Sequence, residues 1–195
     1  MRGPLNDDDV ERLEANARTP EAHRKAAATL EEWATESHPD DETTPAALLT
    51  AAAWHLQTAG DRDAALAVLR RSVAAPGDVP PDKRFYLHSG LLGAGLGDEA
   101  RELAEEVRRS APSQPDVYSF MAENYELSGD LKQALRWLTL GLRHVELPTD
   151  ADDLEQMAWQ STYLLRARRR VRKALGFPPD DLDELVPPVA PTTLE

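Results

Sequence analysis

Tyr118-x-x-Met121-Ala122-x-x-Tyr125-x-x-x-Gly129-x-x-x-x-Ala134-x-x-x-Leu138-x-x-Gly141 is the stretch of this 195-residue chain that decides its fold. Apolar residues three and four apart, on either side of a Gly-Asp pair, describe two short amphipathic helices joined by a tight turn. The arrangement recurs. Shifted back by 34 residues, Met121, Tyr125, Gly129, Ala134 and Leu138 become Leu87, Leu91, Gly95, Ala100 and Ala104; a further shift of 35 gives Ala52, Leu56, Gly60, Ala65 and Leu69. The one additional residue is absorbed in the connector Gly77-Asp78-Val79-Pro80-Pro81. A period near 34 residues predicts stacked helical hairpins, and no segment alternates like a strand, so the expected class is all-α.

Working outward, the period divides the chain into repeats 46–79, 81–114 and 115–148, preceded by a degenerate repeat, 7–40, in which Val10, Leu13, Ala17, Ala26, Leu30 and Trp33 fall on the same offsets. Paired antiparallel helices approach closely only where side chains are small. Ala65, Ala100 and Ala134 supply those positions opposite the bulky Leu56, Leu91 and Tyr125. Gly60 and Gly129 let the chain leave a helix in the left-handed region, and the aspartate after each is expected to cap the next helix.

A long helix, 150–175, is expected to close the stack. Its first turn is acidic (Asp150, Asp152, Asp153, Glu155), its last turns are basic, and Gly176 with Pro178 and Pro179 ends it. Leu154, Met157, Ala158, Ser161, Leu164, Leu165, Val171 and Leu175 form one stripe, interrupted by Arg168, and Trp159 and Tyr163 add a second apolar flank. That flank either belongs to the cap or forms a homodimer or partner contact. The repeats and this helix make one expected domain, residues 1–176, and residues 177–195 a proline-rich, acidic tail, partly ordered or flexible.

Composition narrows the function classes. The chain has no cysteine, which excludes disulfides and thiolate metal sites. Asp7, Asp8 and Asp9 stand where a secretory signal would have its apolar core, so a cytoplasmic location is expected, and no apolar run approaches the length of a membrane span. The five histidines show no metal-ligand spacing, Gly90, Gly93, Gly95 and Gly97 lack the strand and the Gly-Lys-Ser/Thr of a phosphate loop, and no G-x-S-x-G occurs. Glu123 and Glu126 share a helical face, too little by itself for acid and base roles. The expectation is a non-enzyme with no cofactor and no metal.

The net charge of −13 divides into +6 on residues 166–175 and −19 on the rest. Arg166, Arg169, Arg170 and Lys173 fall on one helical face, a stripe suited to phosphates or an acidic partner. The excess of acid elsewhere argues against nucleic acid, and the run Asp180-Asp181-Leu182-Asp183-Glu184 is placed to fold back and neutralise the basic block Arg166, Arg168, Arg169, Arg170, Arg172 and Lys173.

The 118–141 stretch resembles the tetratricopeptide repeat family at nearly every large and small position, and the likeness covers residues 46–148 well. The unit 81–114 departs from it with Arg84 where the family has a large aromatic. The resemblance implies a right-handed α-solenoid whose first helices line a concave groove that holds an extended or helical peptide. Carried over position by position, the groove residues are Thr50, Trp54 and Gln57, then Asp82, Phe85 and Ser89, then Asp116, Ser119, Glu123 and Glu126. These would suit a peptide with basic and apolar side chains. Members that grip a C-terminal carboxylate do so with Lys, Asn and Arg; the matching places here carry Thr50, Trp54, Ser119 and Glu123, so that specialised use is not expected. Residues 168–183 are similar to the end of small actinobacterial helical-repeat proteins, some with a cysteine-rich SEC-C zinc motif that is missing here.

The sequence thus points to a protein-interaction adaptor acting by binding. The alternatives from other classes are a regulatory nucleic-acid-associated protein using the Arg166–Lys173 stripe and a self-assembling structural unit.

Overall fold

The computed structural model describes residues 2–36, 38–110, 112–145, 147 and 159–186. Ten helices and no strand occur among them. They fall into two compact units, Met1–Arg109 and Ser110–Glu195, so the expected single domain, 1–176, spans both.

The first unit contains α1 (Asp7–Asn16), α2 (Pro20–Thr35), α3 (Pro45–Thr58), α4 (Arg62–Ala74), α5 (Lys83–Gly93) and α6 (Gly97–Arg109). Their starts are written in the sequence. Asn6 and Asp9 form a reciprocal cap on α1, while the hydroxyls of Thr19 and Thr44 accept from the amides of Ala22 and Ala47, each directly before a proline at the first helical position. Each helix packs on its neighbours in the chain, and α3 also reaches α5. The core gathers Leu30, Leu48, Ala52, Ala65, Leu69, Leu91 and Ala100, all buried. Fully burying one such leucine is worth about 1.5–3 kcal/mol. Val10, Leu13 and Trp33 of the degenerate repeat pack against it, half-buried.

The three hairpin turns are built alike. Gly60, Gly95 and Gly129 have φ of 87°, 75° and 84°. In each, the glycine amide donates to the carbonyl three residues back (Gln57, Leu92, Glu126), and the next amide donates to the carbonyl five back (Leu56, Leu91, Tyr125), at 2.9–3.0 Å. These bonds use the helix-end carbonyls that would otherwise be unpaired. The residue after each glycine, Asp61, Leu96 or Asp130, then accepts the first bond of the following helix. The expected aspartate cap is realised at Asp130, whose carboxylate accepts from the Gln133 amide, but not at Asp61. The Asp61 carboxylate instead takes two bonds from Arg24 of α2, at 2.6 and 3.1 Å, because a guanidinium on the neighbouring helix outcompetes a local amide.

The N-terminal segment is tied down by Asp41. Its oxygens accept from Arg2 at 2.7 and 2.6 Å and from the amides of Leu5 and His38 at 2.8 and 2.7 Å. The Arg2 hydrogen bonds hold the Asp41 carboxyl far below the usual carboxylate range.

The second unit contains α7 (Pro115–Leu127), α8 (Leu131–Gly141), α9 (Trp159–Ala174) and α10 (Asp181–Glu184). Helix α7 packs on α8, α8 on α9, α7 also reaches α9, and α10 lies on α9. Met121, Tyr125, Ala134, Leu138, Leu164, Leu165 and Val171 are buried. Gly141 is where the backbone of α8 comes closest to its neighbours: a Cβ there would sit 2.8 Å from Tyr118 Cβ and 3.0 Å from a Leu164 methyl. The closing helix expected over 150–175 is observed from Trp159, and residues 150–158 lie outside the described residues, as do 187–195 of the tail. Gly176, with φ 75°, ends α9 with the same pair of bonds as the hairpin turns.

Candidate functional site

Helices α3 and α5 face each other across a cleft of about 310 Å³. Helix α3 contributes Thr50, Trp54 and Gln57 from one face, at the three- and four-residue spacing that keeps side chains aligned. From α5 come Phe85, Tyr86 and Ser89, and Val79 of the connector also lines the cleft. Five of the six groove residues predicted for these two helices therefore meet in one place. Asp82 is the exception. It caps α5, accepting from the Arg84 amide, and its carboxylate is clasped by the Arg84 guanidinium at 2.6–3.1 Å. Burial would raise its pKa, but the hydrogen bonds and charge of Arg84 outweigh that and hold it below the ordinary value.

Within the cleft the side chains differ in role. Thr50 is buried at its base, bonded to the Ala46 carbonyl at 2.9 Å and to the Ser72 hydroxyl at 2.8 Å, so it fixes α3 against α4. Trp54 is 50 % exposed, the accessible apolar surface of the site. Its ring meets His55 edge-on at 4.9 Å and His23 at 5.7 Å. Behind it the Nδ1 atoms of His23 and His55 share a hydrogen bond of 2.7 Å. Tyr86 donates its hydroxyl to the Pro80 carbonyl at 2.8 Å, and burial raises the phenol's pKa. Tyr86, Val79 and the histidine pair were not singled out from the sequence; none carries a spacing signal, since each depends on how one element is rotated against another.

In the second unit, Asp116, Ser119, Glu123 and Glu126 share one face of α7. Glu126 is paired with Arg170 of α9 at 2.8 Å. The Tyr163 hydroxyl of α9 has its pKa raised by burial first, then by the carboxylates of Glu123 and Glu126, with Arg170 opposing. Glu123 remains exposed.

The predicted basic stripe is divided. Arg166, Arg169 and Lys173 are exposed, whereas Arg170 is committed to Glu126. The tail folds back onto the basic block as expected, meeting it at Arg168 and Arg172. Asp180 grips Arg168 at 2.6 and 2.9 Å, and Asp183 accepts from Arg172 at 3.0 Å. The hydrogen bond from Arg168 lowers the Asp180 carboxyl to about 2. Arg168, which interrupts the apolar stripe in the sequence, is thereby buried as one half of an ion pair. Beside the stripe, Trp159 is 70 % exposed and stacks on Tyr163 at 5.5 Å.

Among the described residues no group of three or more His, Asp or Glu side chains could hold a metal ion, and no helix is long and apolar enough to cross a membrane. No family model, curated protein or solved structure matches the chain.

Proposed function

We propose that this protein is a tetratricopeptide-like helical-repeat adaptor, its hairpins stacked as a right-handed solenoid, that works by binding a partner peptide and not by catalysis. The observation that carries the proposal is the convergence of Thr50, Trp54, Gln57, Phe85 and Ser89 on one apolar cleft with a half-exposed tryptophan. An exposed aromatic in a concave apolar site is the usual anchor of a protein contact. Apolar side chains of the partner belong in this cleft. Quantitative affinity capture from lysate, intact protein beside Trp54→Ala, tests it. The variant should lose specific partners while keeping its helical circular dichroism; an unchanged set of partners would remove the site.

A second reading is favoured by the exposed Trp159–Tyr163 stack, which suits self-association through α9. Concentration-dependent mass in solution, abolished by Trp159→Ala, is its signature.

A further inference from the structure

The α3/α5 cleft carries more information than its apolar character. No Asp, Glu, Lys or Arg lines it. A ligand charge placed there would lose hydration with nothing to pair it. Three of the lining side chains, Trp54, Gln57 and Ser89, carry polar groups that bond to no described residue. The indole N–H donates only, and the amide and hydroxyl can each donate. The site therefore offers aromatic faces together with hydrogen-bond donors, on helices whose own backbone groups are already used.

That combination discriminates among ligand conformations. A helical segment has internally bonded carbonyls and leaves the donors unmatched. A β-strand needs a sheet edge to pair its amides, and none exists among the described residues. A proline-rich polyproline II segment has no internal hydrogen bonds, presents free carbonyls, lacks an amide N–H at each proline, and loses little entropy on binding. The hydroxyl of Tyr86, another lining residue, is already donated to the carbonyl of Pro80 in the connector.

We propose that this cleft recognises an uncharged, proline-rich segment of a partner protein in polyproline II conformation. The proposal rests on the reading that this face binds a peptide and specifies which peptide.

Calorimetric titration of the full chain with three capped peptides tests it: Pro-Pro-Leu-Pro-Pro-Leu-Pro, the same peptide with alanine for every proline, and Lys-Leu-Lys-Ala-Leu-Lys-Ala. The first should bind, and the alanine version about tenfold more weakly. Trp54→Phe keeps an apolar ring but removes the donor, and Gln57→Ala removes a second polar group from an exposed position; each should weaken the first peptide about three- to tenfold, the worth of one hydrogen bond. Equal binding of the alanine peptide, or Trp54-dependent preference for the lysine peptide, would overturn the proline assignment and leave peptide binding standing. Binding of none of the three would overturn both.

Discussion

The Nδ1 atoms of His23 on α2 and His55 on α3 lie 2.7 Å apart, so one ring donates and the other accepts, and the bond exists only while at least one of the two lacks its Nδ1 proton. His55 is fully buried, and burial, reinforced by the neighbouring His23, holds its pKa below the ordinary imidazole value. His88 of α5 is buried as well, and burial lowers it to about 4.

Both shifts have the same sign for stability. A histidine whose folded pKa is depressed is neutral in the fold and takes up a proton on unfolding, so stability is lost as pH falls below about 6.5 and the loss levels off near the folded value. For His88 the window runs from about 6.5 to about 4, and the full loss is on the order of 3 kcal/mol. Urea midpoints measured between pH 7.5 and 4.5 should fall steadily, and His88→Leu should flatten the slope whatever it does to the midpoint at pH 7.5. An unchanged slope would mean that His88 titrates normally. Asp41 and Asp180, whose folded pKa values are depressed, lose their contributions only below about 4, which separates the two effects.

Gly141 and Gly93 form a contrasting pair. Both are helical, but a Cβ at Gly141 meets Tyr118 and Leu164 at 2.8 and 3.0 Å, while at Gly93 nothing lies within 4 Å. Gly141→Ala should therefore destabilise by about 1–3 kcal/mol through overpacking. Gly93→Ala should be neutral or stabilising by a few tenths to about 1 kcal/mol, from the lower entropy of the unfolded chain. Urea unfolding of the two variants beside wild type checks both; equal effects would mean that α7, α8 and α9 are not packed as closely as observed.

Gly129→Ala isolates conformation from packing, because its φ is 84° and nothing lies near an added Cβ. The expected cost is about 1 kcal/mol, the penalty of an L-residue in the left-handed region. Gly129→Asn should cost less, since asparagine tolerates that region. Thermal unfolding of the two variants gives the order directly.

The hairpins were legible because their signals are local and repeated. Gly60, Gly95 and Gly129 return with the same two hydrogen bonds, and Ala65, Ala100 and Ala134 are each almost fully buried. Trp54, Gln57, Phe85 and Ser89 came from the repeat resemblance, which carries groove positions over one by one. What spacing could not supply is the rotation of one helix against another. That rotation brings His23 to His55 and gives Asp61 to Arg24 instead of to its own helix, whereas the return of Asp180 to the basic block, at Arg168, was legible from the charge pattern. Asp82 misled for a related reason. It occupies a groove position in the pattern, yet Arg84, two residues on, claims its carboxylate.

The Arg168 pairing supports a final prediction. Arg168 and Asp183 have side chains only 7 % and 4 % exposed, so removing one partner strands the other in a poorly hydrated place. Asp180→Ala takes away the bidentate partner and also the amide acceptor that starts α10, and should cost about 2–3 kcal/mol. Arg168→Met and Arg172→Gln with Asp180→Asn and Asp183→Asn removes the four charges of the cluster together and should recover much of that loss, because no charge of the cluster remains poorly hydrated. Asp181→Asn, at an exposed position in the same short helix, serves as the control and should change stability by less than about 0.5 kcal/mol. Hydrogen exchange at the amides of 180–184 reads the same event locally: protection should vanish in Asp180→Ala and persist in Asp181→Asn. Equal protection in the two would show that the tail is held by something other than these arginines.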